Sequence, residues 1–523
     1  MKRRLFIKKS IYGGAGLLMT GRMIACNKDG DSPINPDDKP IDHPAITPDP
    51  GIDLYGSILD DMGNPVQGVV VSDGYQCVVT DAKGVYQMTR DPRALTVFFS
   101  TPAAYEVKRT GTISTAANFF TALSSQSKRY NFTMKRLSAV EDNFSLVCIG
   151  DPQVASAVDI ERYSDETIAD LKAFVESQTQ PCYGLVLGDT VGDQPQFFTR
   201  MRNLTGSVGL PYFTTIGNHD KTGGNSTTPR DANAYTAVFG PVNHSWNRGK
   251  VHFISLDNVI FENNSSYRGG LEDYQIEWLR QDLSYVSKDK LIIIYYHIPI
   301  RNDQNFKNRA AFFSLLQNYP NVHFMVGHTH YHENFQIGNG GNTIYEHIHG
   351  AACGAWWKST VNCDGTPNGY AVYSVQGTEI KNCYYKATRY DKGFQIRLHR
   401  GPDLFGGQYG NYSYGKGTND IIANIWNADT QWKLEAYEDG VKAGNLSKLN
   451  TVIDAFAAGY HVGVLNRIPG NYGATGNGQN KHAYIHSLKN PNAKEIEIRA
   501  TDPFGNIYSQ TEIITDLKTA QGY

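Results

Sequence analysis

The sequence predicts an α/β protein, a four-layer-type α/β sandwich with a β-sandwich domain on either side of it in the chain. Three observations predict this. Five short runs, SLVCI, YGLVL, YFTTI, LIIIYY and VHFMV, are rich in β-branched and aromatic residues and read as buried strands. Helical periodicity falls between them, at Asp159–Gln178, Gln196–Val208, Leu271–Ser287 and Phe306–Tyr319. Before and after this region, apolar and polar residues alternate over short segments divided by turn signals. A chain of 523 residues has room for three such units.

The chain begins MKRRLFIKKS, followed by the weakly apolar IYGGAGLLMT. The apolar part is too short to span a bilayer, so residues 1–26 read as a signal peptide. Ala25-Cys26 resembles a lipobox, which would make Cys26 the lipidated first residue of an exported lipoprotein, membrane-anchored in the periplasm or at the cell surface. An ordinary cleavable signal with an incidental cysteine is the alternative. Arg3-Arg4 also resembles a twin-arginine signal. Residues 27–51 are rich in Pro, Asp and Gly and should form an extended tether.

Residues 52–135 read as a small β-sandwich, with Asp81–Gly84 fitting a hairpin turn. No catalytic cluster is visible there. Residues 381–523 read as a second β-sandwich, with strand-like GFQIRLHRG, WKLEAYEDG and EIEIRATDPFG.

The chemistry is concentrated in residues 142–374. Asp151 and Gln153 follow the first strand run, and Asp189 follows the second. Asn218, His219 and Asp220 follow the third, His297 the fourth, and His328 and His330 the fifth. Gly precedes the first such residue in four of the five places, where the chain must turn and approach a ligand closely. In open α/β sheets, sites gather at the carboxyl ends of strands, so these side chains should converge. A lone Gly-Asp after a strand is usually a turn, and a lone strand-end His is usually structural. Five in order are not expected of independent turns.

In this order DPQ, GDTVGD, GNHD, YYHIP and GHTH resemble the calcineurin-like metallophosphoesterase superfamily. The resemblance covers a little under half of the chain. The flanking sandwiches resemble a transthyretin or carboxypeptidase-regulatory-like module and the C-terminal domain found beside such enzymes. The resemblance implies a hydrolase that cleaves a phosphate ester or diphosphate linkage with two divalent ions. Asp151, Gln153, Asp189 and His330 would hold one ion, and Asp189, Asn218, His297 and His328 the other. A water shared by the ions would attack phosphorus. His219 would contact the phosphate and act as general acid, with Asp220 orienting it. The family usually has His where Gln153 stands. A carboxamide oxygen is a harder and weaker ligand than imidazole, which shifts the first site toward manganese or magnesium; for the pair of ions the resemblance implies manganese, magnesium or iron, with zinc possible. The alternative is that Gln153 is a bystander.

Trp356 and Trp357 follow on a Gly/Ala-rich loop. They could stack on a substrate group or wedge the C-terminal domain in place. His347 and His349 are a strand-step pair and not expected to be ligands. GYAVYSV looks like an edge of the catalytic sheet. Cys148 and Cys182 should be buried thiols, and one disulfide among Cys353, Cys363 and Cys383 fits an oxidising compartment. Net charge is −2 with no basic run outside the leader, which argues against nucleic-acid binding; a small phosphorylated substrate is what the resemblance implies. No protein partner is inferable. A different class of function is a catalytically weak surface lipoprotein that binds a phosphorylated or glycan ligand. Retention of six of the chemical residues (Asp189, Asn218, His219, His297, His328, His330) speaks against it, since a scaffold has no physical need of them.

Overall fold

Alternate residues of the strand Asn143–Ile149 face different layers. Phe144, Leu146 and Cys148 pack toward a second sheet, while Val147 and Ile149 pack toward helices. Such two-sided burial is what a continuous apolar run requires. The computed structural model describes residues 41–523 except 110, 112–113, 407–411, 451, 466–478, 516 and 518–523. Cys26 and the first part of the tether therefore lie outside the described residues.

The core holds two sheets. One runs Tyr212–Thr215, Cys182–Leu187, Asn143–Ile149, Gly369–Gln376, Glu379–Ala387, with the first three strands parallel and the last two pairings antiparallel. The other runs His244–Arg248, Val251–Ser255, Leu291–Tyr296, Val322–Val326, Asn342–Ile348, Glu333–Asn339. Its four inner strands are parallel and its two edge pairings antiparallel. The apolar faces of the two sheets meet in one continuous core. On the outer face of the first sheet, Ile160, Tyr163, Leu171, Phe198 and Met201 form a separate helical layer. The helices between strands include Ala157–Tyr163, Ala169–Glu176, Phe198–Gly206, Asp273–Ser284 and Arg309–Leu316. The fold is the expected α/β sandwich with β-rich flanks.

Several expectations change. GYAVYSV is not an edge: Gly369–Gln376 lies between two strands, and Glu379–Ala387 forms the edge beyond it. A boundary at 381 would cut that edge strand. The helix expected over Asp159–Gln178 is interrupted by a π-helical turn at Ser164–Ile168. A further helix, Asn233–Phe239, was not expected; it is short and has no side-chain cap to announce it. The turn Asp81–Gly84 closes through Gly84 N–H to Asp81 O, yet the flanking strands Cys77–Val79 and Val85–Met88 belong to different sheets. It passes the chain between sheets instead of closing a hairpin. All six described cysteines are free, so no disulfide joins Cys353, Cys363 and Cys383. Cys353 faces His330, while Cys383 sits on the edge strand. The tether's last residues are docked: His43 Nδ1 lies 2.8 Å from Ser57 Oγ, and Pro44 O accepts from Arg129 at 2.6 Å.

The N-terminal domain has sheets of three and four strands. It grips the core through Trp278 Nε1–H donating to Ser72 Oγ at 3.0 Å and Arg248 donating to Ala103 O and Tyr105 O. The C-terminal region carries two four-stranded sheets, Ile396–Arg400, Asp420–Ile425, Ala483–Ser487, Ser447–Lys448 and Val441–Asn445, Lys433–Glu438, Ile496–Thr501, Ile507–Gln510.

Candidate active site

The strand ends deliver their side chains to one place. His297 Nε2 lies 3.1 Å from Asn218 Oδ1, 3.2 Å from Asp189 Oδ2 and 3.9 Å from Asp151 Oδ1. His328 Nδ1 is 3.2 Å from His297 Nε2, and His330 Nε2 is 3.6 Å from Asp151 Oδ1. Asp189, His297 and His328 alone place ligand atoms within 4.8 Å of one another. Six of the seven residues proposed as ligands from the sequence thus converge, and Gln153 joins them through Asp189.

Backbone conformation explains the motifs. Asp151, Gln153, Asp189, His328 and His330 all have positive φ, between 37° and 74°. Such strain persists only where surrounding structure holds it, and it gathers at functional sites. The glycines admit close approach: a Cβ on Gly217 would lie 2.1 Å from Asp189 Oδ1, and one on Gly327 would lie 2.6 Å from Asp151 Oδ2. Asp151 in turn accepts the His328 N–H at 2.9 Å, tying the first motif to the last. His297 Nδ1 is 2.8 Å from Leu187 O, a backbone partner that turns Nε2 to the centre.

The donor set fits divalent cations. Gln153 is buried, its Oε1 has no hydrogen-bond partner, and its Nε2 lies 3.5 Å from Asp189 Oδ2. A buried carboxamide oxygen without a donor suits a cation. Burial pushes Asp151 up to about 8 against the pull of His297, and burial with the Asp189 charge pushes Asp220 up to about 7. Burial also opposes ionisation of Asp189, but His297, His219 and His328 overcome it and hold its carboxyl below the usual range. Burial drives His328 down to about 3 and His330 down to about 4, so both are neutral imidazoles able to ligate. Burial disfavours the His297 imidazolium, but Asp189 and Asp151 overcome it and hold it up at about 9, so the buried carboxyls already draw positive charge to their centre, a place a cation would suit.

His219 stands at the rim, its side chain 35% exposed, with its N–H donating to Asp189 Oδ1 at 2.8 Å. Asp220 does not orient it. The Asp220 carboxylate instead accepts the N–H groups of Gly217, Thr190 and Val191, bracing the two metal loops. The partner of His219 Nδ1 is Asp193 Oδ2 at 2.8 Å, and Asp193 is paired in turn with Arg230. Asp193 was missed; the second Gly-Asp of GDTVGD was its signal. Burial disfavours the His219 imidazolium, but Asp189 and Asp193 more than offset this and hold it up at about 8.

The site opens into a cleft of about 660 Å³ lined by Tyr267, Arg301, Tyr331, Trp356 and Lys358 beside the motif residues. Trp356 lies 5.0 Å from the His330 ring. Trp357 does not reach the cleft: it is 1% exposed, donates Nε1–H to Pro152 O at 2.7 Å and packs on Tyr163. It therefore fits neither substrate stacking nor a wedge against the C-terminal domain. His347 and His349 lie apart, against His323 and Tyr373 respectively.

A family model for the calcineurin-like phosphoesterase domain matches residues 144–332. Models for the N-terminal and C-terminal domains of calcineurin-like phosphoesterases match residues 53–137 and 346–508. No curated protein matches the sequence. Among solved structures, a purple acid phosphatase from yellow lupin (Lupinus luteus) seeds is 15% identical, over 47% of this chain and 51% of that one, with a TM-score of 0.34. A 5'-nucleotidase precursor from Thermus thermophilus is 11% identical, over 70% and 88%, with a TM-score of 0.29. The 5'-nucleotidase of Candida albicans is 14% identical, over 48% and 52%, with a TM-score of 0.27. The alignment thus spans about half of the lupin and Candida chains, and likenesses this weak bear no further weight. With the three domain models in chain order along it, this chain belongs to the calcineurin-like metallophosphoesterases, metal-dependent hydrolases of phosphate esters.

Proposed function

We propose that this protein hydrolyses a small phosphate ester or diphosphate with two divalent ions, outside the cytoplasm. The observation that supports it best is the convergence of seven donor residues from five strand ends, with the Gln153 carboxamide beside Asp189 and its Oε1 buried and lacking a donor. Asp151, Gln153, Asp189 and His330 would hold one ion; Asp189, Asn218, His297 and His328 would hold the other. Bound there, the ions would supply Lewis acidity and a nucleophile at neutral pH. The oxygen-rich first site favours manganese or magnesium over zinc.

The chain's own residues do the rest. Asp193 fixes Nδ1 of His219 and leaves Nε2 for the substrate. Held up at about 8, His219 is protonated at neutral pH and can donate to the departing oxygen as general acid. Arg301 is held at φ 43°, its N–H donating to the buried Glu346 carboxylate at 2.8 Å and its Nη2 to Tyr331 OH at 2.9 Å. Its Nε is paired with Glu333 Oε2 at 2.7 Å, so a phosphate oxygen would meet a fixed guanidinium through its remaining N–H groups. Trp356 supplies an apolar plane beside His330 for a sugar, base or aryl group. The basic leader and Ala25-Cys26 support anchoring through a lipidated Cys26, which mass spectrometry of the mature N-terminus tests.

A substrate panel with manganese tests the activity: a phosphomonoester, a phosphodiester, ADP-ribose and sugar nucleotides. Hydrolysis of a monoester or a diphosphate linkage is expected. No turnover of any member would overturn the reading.

A further inference from the structure

The loop after the last motif belongs equally to the cleft and to the C-terminal domain. Trp356, Lys358 and Cys363 line the cleft. The next residue, Asp364, is fully buried and is not among those lining the cleft. Its Oδ2 accepts the His332 N–H at 2.8 Å, two residues beyond His330, and lies 2.9 Å from His482 Nε2. Its Oδ1 accepts the Thr366 N–H at 2.9 Å. Its main-chain carbonyl accepts Asn424 Nδ2 at 2.7 Å and Asn480 Nδ2 at 2.9 Å. Asn424 lies on Asp420–Ile425, Asn480 on Gln479–Asn480, and His482 just before Ala483–Ser487. Three points of the C-terminal region therefore converge on one residue. Gly365 makes the approach feasible, since a Cβ there would lie 2.6 Å from both Asn424 Nδ2 and the Asp454 carboxylate.

A buried carboxylate is costly unless paired and hydrogen-bonded. Asp364 has both, and what it holds is the main chain leaving the motif that bears His328 and His330. His330 would be the one imidazole of the first metal site, where Gln153 stands in place of the family's usual histidine, so that site depends on how His330 is held. Outer partners that orient metal ligands commonly govern affinity.

We propose that Asp364 is a positioning residue through which the C-terminal domain fixes His330, so that this domain sets the affinity of the first metal site. The proposal rests on the two-ion reading above.

The test uses the full chain, stripped of metal, and manganese titration by calorimetry alongside thermal unfolding. His482→Ala should weaken one of the two manganese sites by about 10–100-fold and leave the other nearly unchanged. His482→Gln, which keeps an amide donor, should recover most of that loss. The control is His486→Ala, four residues away, which breaks another buried pair (Nε2 to Glu438 Oε1, 2.9 Å) with no link to Asp364. It should lower Tm while leaving both manganese affinities as they were. Where His482→Ala does not fold, Asn480→Ala removes a neutral donor to the same residue and should weaken the same site. Equal loss in the His482 and His486 variants, or none in either, would overturn the proposal. If the unsubstituted chain takes up no manganese, the two-ion reading itself falls, a result distinct from either.

Discussion

The two sides of the cleft are built on different principles. On the strand-end side, Asp151, Asp189 and His297 are buried and meet at distances set by sheet register and strained turns. On the rim, His219 and Asp193 keep 35% and 44% of their side chains exposed and are held by charge pairing through Arg230. The buried side can fix ions but has no freedom to follow a substrate. The rim can exchange a proton with solvent and take its protonation state from its neighbours. The contrast separates binding of the ions from proton transfer, and each can be broken without the other.

The largest expected effect divides them most cleanly. His219→Ala should lower kcat by about 10²–10⁴-fold while manganese content stays near two ions per chain. The loss should be smallest for 4-nitrophenyl phosphate, whose leaving group needs little protonation. Equal losses across leaving groups would make His219 a phosphate-positioning residue instead of an acid.

Trp356 and Trp357 carry the contrast into adjacent residues. Trp357 is 1% exposed, packed on Tyr163 and bonded to Pro152 O, so Trp357→Ala should destabilise the fold by about 3–5 kcal/mol in chemical denaturation. Trp356→Ala should leave stability nearly unchanged and raise KM for substrates with a ring beside the phosphate. The opposite pattern would mean that the side-chain assignment of this loop is wrong.

The smallest effect is a shift in pH dependence. Asp189 and Asp193 raise His219 to about 8 against burial, so its acid form is present below that pH and lost above it. The basic limb of kcat/KM should therefore fall as pH rises through the His219 pKa of the metal-loaded enzyme. Asp193→Asn removes one of the raising charges and should move the limb to lower pH. A limb that does not move would mean that Asp193 does not govern the acid.

The strand-end side was legible in the sequence because its determinants are local. Each ligand follows a run of β-branched or aromatic residues, and glycine marks the turn in four of five places. Those cues also exposed the α/β alternation and the β-rich flanks. The rim was less legible. Asp193 reaches His219 across 26 residues from an exposed turn, and Asp220, next to His219, took the part only by adjacency. The disulfide expected among Cys353, Cys363 and Cys383 failed because sequence nearness says nothing of Cβ direction. The Asp364 network was invisible for a similar reason, since its partners lie 32 and 118 residues away. GYAVYSV looked like an edge because the strand that covers it comes later, after a tight turn at Gly377, whose φ is 60°.

Metal dependence tests the central claim most directly. The chain would be stripped by chelation, assayed for phosphomonoester hydrolysis, reloaded with manganese and assayed again, with bound metal counted by elemental analysis. Two manganese ions per chain and recovery of activity from background are expected. Full hydrolysis by the metal-free chain, or recovery complete at one ion, would contradict the two-ion account.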